Sequence, residues 1–132
     1  MITKQIHSSY KKYASMIIAK CNNFAPSQLQ IIVNPEIVTT LRGHATIDKN
    51  GNKKITIPTW AINKGFEFFT YYIIHEYTHH YVGFSCGHNE AFKIHEGKLV
   101  KALINCKINY KKAYPKNLVC LKNNKVVYEY GR

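Results

Sequence analysis

In His75-Glu76-Tyr77-Thr78-His79, two histidines stand four residues apart with an acid directly after the first. On an α-helix this spacing places both imidazoles on one face, within reach of a single ion. Glu76 then lies about 100° round the helix from His75. From there it can take a proton from water beside the ion without occupying the ion itself. The residue types describe two prearranged metal ligands and a general base, the chemistry of zinc-dependent hydrolysis.

Catalytic zinc uses three protein ligands and keeps one position open, so a third ligand must come from outside this helix. His88 is the first choice, nine residues past His79 and beyond a segment containing Gly83 and Gly87 that can fold the chain back. Glu90, Glu96 and Cys86 are its rivals, since a glutamate from a following helix is the other common third ligand. Glu90 also has a plainer reading, an acid complementing the dipole of a helix start. Glu76 would accept a proton from the attacking water and deliver it to the leaving amine. Tyr77, His80 and Tyr81 are near enough in sequence to be weighed as donors to a developing oxyanion.

The elements that must position these groups are legible in part. Ile6, Tyr10, Tyr13, Ile17 and Ile18 recur at helical spacing between Thr3 and Asn22. Leu29 to Val33 reads as a first strand stopped by Asn34-Pro35. Arg42 to Asp48 and Lys53 to Ile57 flank Lys49-Asn50-Gly51-Asn52, whose Asn-Gly pair supplies the positive φ angles of a tight β-hairpin. The first of these strands could offer an edge to an extended peptide, with His44 near the cleft.

Asn63 is a candidate cap for a helix from Gly65 to about Val82, which is apolar on most sides through Phe68, Phe69, Tyr72, Ile73 and Tyr77 and so should cross the core. A second helix follows from about Asn89 to Ile104, with Phe92, Leu99, Val100 and Leu103 as its buried stripe. His95 on that helix reads as a residue without a role. Leu118 to Leu121 and Val126 to Tyr130, around Lys122-Asn123-Asn124-Lys125, predict a closing hairpin.

Taken together, His75-Glu76-x-x-His79, Val82-Gly83, Gly87-His88 and Phe92 resemble the SprT-like zinc metallopeptidases, the family of Spartan-like protease domains. Gly43 and Ile55-Thr56-Ile57-Pro58 are similar to the family's strand pair before the active-site helix. The resemblance extends from roughly Leu29 to Leu103. It implies an α+β, zincin-like fold with a small antiparallel sheet, and cleavage of protein substrates, in some members proteins attached to DNA. It also implies zinc held by His75, His79 and His88, with Glu76 activating water. Many members carry a C-terminal four-cysteine zinc ribbon, which Cys106 and Cys120 cannot make.

Composition sets the frame. A chain of 132 residues that is 45% hydrophobic has material for one core, so a single domain over 1–132 is expected. It divides into an N-terminal helix (1–24), a catalytic core (28–104) and a basic C-terminal extension (105–132). No apolar run of membrane-spanning length and no signal-peptide plan is present, and the four cysteines include no C-x-x-C pair. A soluble, cytoplasmic protein with reduced thiols is the expectation.

The net charge of +12 attracts polyanions. Eight lysines and no acid lie between Gly97 and Tyr128, interleaved with Tyr110 and Tyr114, a pattern compatible with phosphate contacts and base stacking. DNA or RNA is therefore a candidate partner beside a protein or peptide substrate. Two competing readings are a basic nucleic-acid-binding module with a structural zinc, and a zinc hydrolase of non-peptide bonds.

Overall fold

A computed structural model describes residues 4–24, 31–40, 42–111, 114 and 117–131. The first helix, α1, spans Lys4–Asn22, and β1 (Val33–Val38), β2 (Ala45–Ile47) and β3 (Lys53–Pro58) make one sheet in the order β1-β3-β2. A one-turn helix α2 (Thr59–Asn63) leads into α3 (Phe66–Val82). A 3-10 turn (Phe84–Cys86) separates α3 from α4 (Glu90–Ile104). The chain ends in a second sheet of β4 (Lys107–Ile108), β5 (Asn117–Lys122) and β6 (Lys125–Gly131). The protein is α+β, as expected.

The core is built around α3, whose residues from Phe68 to Thr78 are all buried. A helix apolar on all sides needs cover on all sides. Ala14, Ile17, Ile18 and Cys21 of α1, Ile55 and Ile57 of β3, and Leu99 and Val100 of α4 join it in one cluster. Each buried aromatic of α3 contributes on the order of 1.5–3 kcal/mol through removal from water. The hydroxyls of Thr70 and Thr78 stay satisfied inside this core by donating to the carbonyls of Phe66 and Ile74.

Three expectations need correction. The first sheet is mixed: β2 pairs antiparallel with β3, but β1 runs parallel to it, from Val33 opposite Lys53 to Val38 opposite Pro58. β2, not β1, makes the hairpin with β3, and β1 pairs on the opposite side of β3 with α1 packed against it.

The first strand also lies later than Leu29 to Val33, part of which falls outside the described residues. Asn34 and Pro35 do not stop it but sit within it. β1 is an edge of its sheet, and an edge strand tolerates the missing N–H of proline on its unpaired side.

Finally, Asn63 ends α2 instead of capping α3, whose first turn is preceded by Gly65 with no side-chain cap. A short helix begins directly after Pro58, so the chain reaches α3 by way of α2.

Both hairpins form at the expected places, but in the first only Gly51 takes positive φ (+83°) and Asn50 does not, so the turn is closed through Asp48 instead of by an Asn-Gly pair at positive φ. Asp48 accepts from the backbone amides of Asn50 (2.8 Å) and Asn52 (3.0 Å) and from the Asn52 side chain. Those bonds from Asn52 hold the exposed Asp48 carboxyl below its ordinary pKa. Asn123 and Asn124 both take positive φ between β5 and β6, the backbone a two-residue hairpin requires.

Candidate metal centre

His75 and His79 project from the C-terminal half of α3 on one face, as their four-residue spacing dictates. The chain then reverses. Gly83 ends the helix at a φ of +96°, and Gly87 takes φ +54°, ψ −130° after the 3-10 turn, a conformation that penalises any residue with a Cβ. Asn89 caps α4 at once, accepting from the Phe92 amide at 3.1 Å. His88 is thus held between a glycine turn and a helix start and is directed back toward α3.

The three histidines meet. Their ring centroids are 5.1 Å (His75–His79), 5.0 Å (His75–His88) and 4.8 Å (His79–His88) apart. One potential ligand atom from each lies within 4.8 Å of the others. Fully buried Phe92 is the common wall, with its ring 4.6 to 5.0 Å from all three imidazoles. Nε2 of His75 and Nε2 of His88 are 3.2 Å apart. Two nitrogens on one tetrahedral zinc are separated by about 3.3 Å, so the donor set fits such an ion.

The far side of the His75 ring is equally defined. Its Nδ1 lies 2.5 Å from Oε2 of Glu96, which is completely buried on α4. Oε1 of Glu96 accepts from the hydroxyls of Tyr114 at 2.7 Å and Tyr110 at 2.9 Å. Burial alone would raise the Glu96 carboxyl; attraction to the His75 ring and the hydrogen bonds from His75, Tyr114 and Tyr110 outweigh it and hold the pKa below the ordinary value. Burial and the Glu96 charge push the Tyr110 phenol upward, which keeps it a donor.

Glu96 therefore faces the ring edge opposite the histidine cluster. Neither Glu90 nor Cys86 joins that cluster. Glu90 is exposed in the first turn of α4, and the Cys86 thiol donates to the Val82 carbonyl.

The histidines line an open cleft of about 350 Å³ together with Glu76, Arg42, Gly43, His44, Ala45 and Phe84. Glu76 is only 5% exposed yet reaches this cleft, beside the rings of its own helix. Opposite stands β2, an edge strand of the first sheet. It is held close by the Gly43 amide, which donates to the Tyr72 hydroxyl at 2.8 Å, and by the His44 amide, which donates to Thr56 Oγ1 at 2.8 Å. No side chain could replace the hydrogen of Gly43: a Cβ there would lie 1.9 Å from the Thr56 carbonyl oxygen.

Tyr77, His80 and Tyr81, the candidate oxyanion donors, are not among the cleft residues. The Tyr77 hydroxyl donates to Asn22 of α1 at 2.6 Å, His80 Nε2 bonds the Lys54 carbonyl at 2.9 Å, and Tyr81 stacks on His95 at 3.9 Å. His95, expected to have no role, is buried and lies outside the cleft, and burial lowers its pKa to about 4.

Sequence reasoning misses Glu96 as the partner of the His75 ring, and Tyr110 and Tyr114 as the donors to Glu96. Glu96 carries one signal, an acid four residues past Phe92 on an otherwise apolar stripe. The tyrosines lie in the segment between β4 and β5, and nothing local in sequence ties them to His75. Against family models, curated proteins and solved structures, the chain shows no match.

Proposed function

We propose that this chain is a zinc-dependent metallopeptidase of zincin-like architecture, in which His75, His79 and His88 would hold the metal and Glu76 is the general base. The observation that carries the reading is the convergence of three imidazoles in an open cleft that also contains a buried glutamate. A structural zinc site would be closed by four protein ligands, commonly cysteines; the metal-ligand cluster among the described residues has three members and no thiol.

When bound, zinc supplies Lewis-acid polarisation of a carbonyl and a lowered pKa for water. The remaining work falls to the chain. A carboxylate oxygen of Glu76 accepts a proton from the attacking water and returns it to the departing amine nitrogen. β2 supplies a strand edge along which an extended peptide can lie, its main chain paired with that of Ala45 to Ile47. Arg42 and His44 at the mouth place donors where the carbonyls of such a peptide pass. Phe92 excludes water from beneath the rings.

The test separates metal from turnover. Glu76→Gln should retain one zinc per chain and lose at least about 100-fold in cleavage of an unfolded protein substrate, the scale of a lost general base. His88→Ala should lose the metal as well. Wild-type turnover in Glu76→Gln would remove the proposed base, and full zinc content in His88→Ala would remove that ligand.

Nucleic acid is a proposed second partner. Lys98, Lys101, Lys107, Lys111 and Lys125 are exposed along α4 and the segments after it. Tyr110 and Tyr114 are instead drawn into the Glu96 network, so phosphate contact rather than base stacking is the mode this surface supports.

A further inference from the structure

Resting on the metallopeptidase reading, we propose that Glu96 is a positioning residue for His75, and that the C-terminal segment keeps it in that role through Tyr110 and Tyr114. A carboxylate with no solvent exposure is tolerated only where its oxygens are matched by donors. Glu96 has three: the His75 ring on Oε2, and both tyrosine hydroxyls on Oε1.

Because a carboxylate only accepts, the hydrogen between it and the ring resides on Nδ1 of His75. With that hydrogen on Nδ1, the neutral ring carries its lone pair on Nε2, the nitrogen that faces His88 at 3.2 Å. The tautomer is thereby selected for metal binding before any metal arrives. The Phe92 ring packs against the His75 ring at 5.0 Å between centroids, and the Tyr71 hydroxyl lies 3.2 Å from Nδ1.

The two phenols give the arrangement its reach. Tyr110 and Tyr114 pack edge to face at 4.7 Å, and Tyr110 also donates to the Lys93 carbonyl of α4 at 3.1 Å. A residue pair from the segment between β4 and β5 thus closes the back of a site whose metal-facing groups come from α3 and the loop after it. Partners of this kind change metal affinity by about 10–100-fold when removed. The segment that joins β4 to β5 is on this account part of the metal site through Tyr110 and Tyr114.

The experiment uses the full chain and zinc alone. Zinc affinity is measured by competition with a chromogenic chelator for wild type, Glu96→Gln, and the pair Tyr110→Phe with Tyr114→Phe. Long-range ¹H–¹⁵N spectra of the metal-free proteins report the His75 tautomer. The expected result is affinity weaker by about 10–100-fold in Glu96→Gln, a smaller loss in the tyrosine variant, and a His75 ring shifted from the Nδ1–H form toward a mixture.

Unchanged zinc affinity in Glu96→Gln, in a wild type that binds zinc and cleaves protein, would overturn this proposal alone. Weaker affinity with the tautomer unaltered would also overturn it, reducing Glu96 to a buried structural acid. Should Glu96→Gln fail to fold, Tyr114→Phe carries the test, and equal affinity there overturns the role of the C-terminal segment. A wild type that takes up no zinc would sink the metallopeptidase reading first.

Discussion

Each cleft residue combines a chemical type with a reason for its place. Gly43 has no functional group, yet it lets β2 approach α3 closely enough to form the far wall of the cleft. A methyl group there would meet the Thr56 carbonyl at 1.9 Å and Tyr72 Cε1 at 2.8 Å, and the carbonyl belongs to a backbone that cannot swing aside. Gly43→Ala should cost about 1–3 kcal/mol by overpacking, read as a lower denaturant midpoint. It should also weaken peptide cleavage more than zinc binding, because the metal ligands lie on the other wall. An unchanged midpoint would show that the segment before β2 yields without consequence.

Between elements, the α3–α4 interface holds both the candidate site and a group that makes its packing sensitive to pH. His95 of α4 stacks flat on Tyr81 of α3 at an interplanar angle of 7°, and its Nε2 has no hydrogen-bond partner among the described residues. Burial first, and then the nearby Lys98 charge, lower its pKa from 6.5 to about 4. In the window between those values the unfolded chain binds a proton that the folded chain does not, so stability falls as pH falls through it.

His95→Phe keeps a stacking ring and removes the proton. Relative to wild type, the variant should gain stability as pH drops from 6.5 to about 4, by less than about 1.4 kcal/mol per pH unit. Urea midpoints of the two proteins at a series of pH values provide the measurement. Parallel curves would show that His95 contributes no part of the acid sensitivity.

For the molecule as a whole, charge is the dominant property. Nineteen basic residues against seven acidic ones leave +12, and two of the acids are engaged with lysines, Glu36 with Lys54 and Glu67 with Lys122. No helix among the described residues is long and apolar enough to cross a membrane. Such a surface attracts any polyanion without regard to sequence, and its binding should weaken steeply with salt. Affinity for single-stranded DNA is expected to fall at least about tenfold between roughly 50 and 200 mM salt. Absence of binding at the lower concentration would limit the role of the charge to the protein's own solubility.

Local chemistry made the His75-Glu76-x-x-His79 helix, both Asn-containing hairpins and the turn before His88 legible from the chain alone. Helical periodicity, positive-φ residues and a helix cap each act over a few neighbouring positions. The extent of β1 was not legible, because a proline inside a strand reads as a stop until the strand is known to lie at an edge, and its direction depends on pairing with β3 about twenty residues away. The close approach at Gly43 was not legible either, since it depends on the Thr56 backbone of β3 and the Tyr72 ring of α3 both meeting the segment before β2.

Least readable of all was the back of the His75 ring. Glu96, Tyr110 and Tyr114 are separated from His75 by 21, 35 and 39 residues in sequence. Only the packing of α4 on α3, and of the following segment on α4, brings them together. Ligand types and their spacing along one helix are set by covalent order, while the partners that orient a ligand are chosen by which buried surfaces must cover one another.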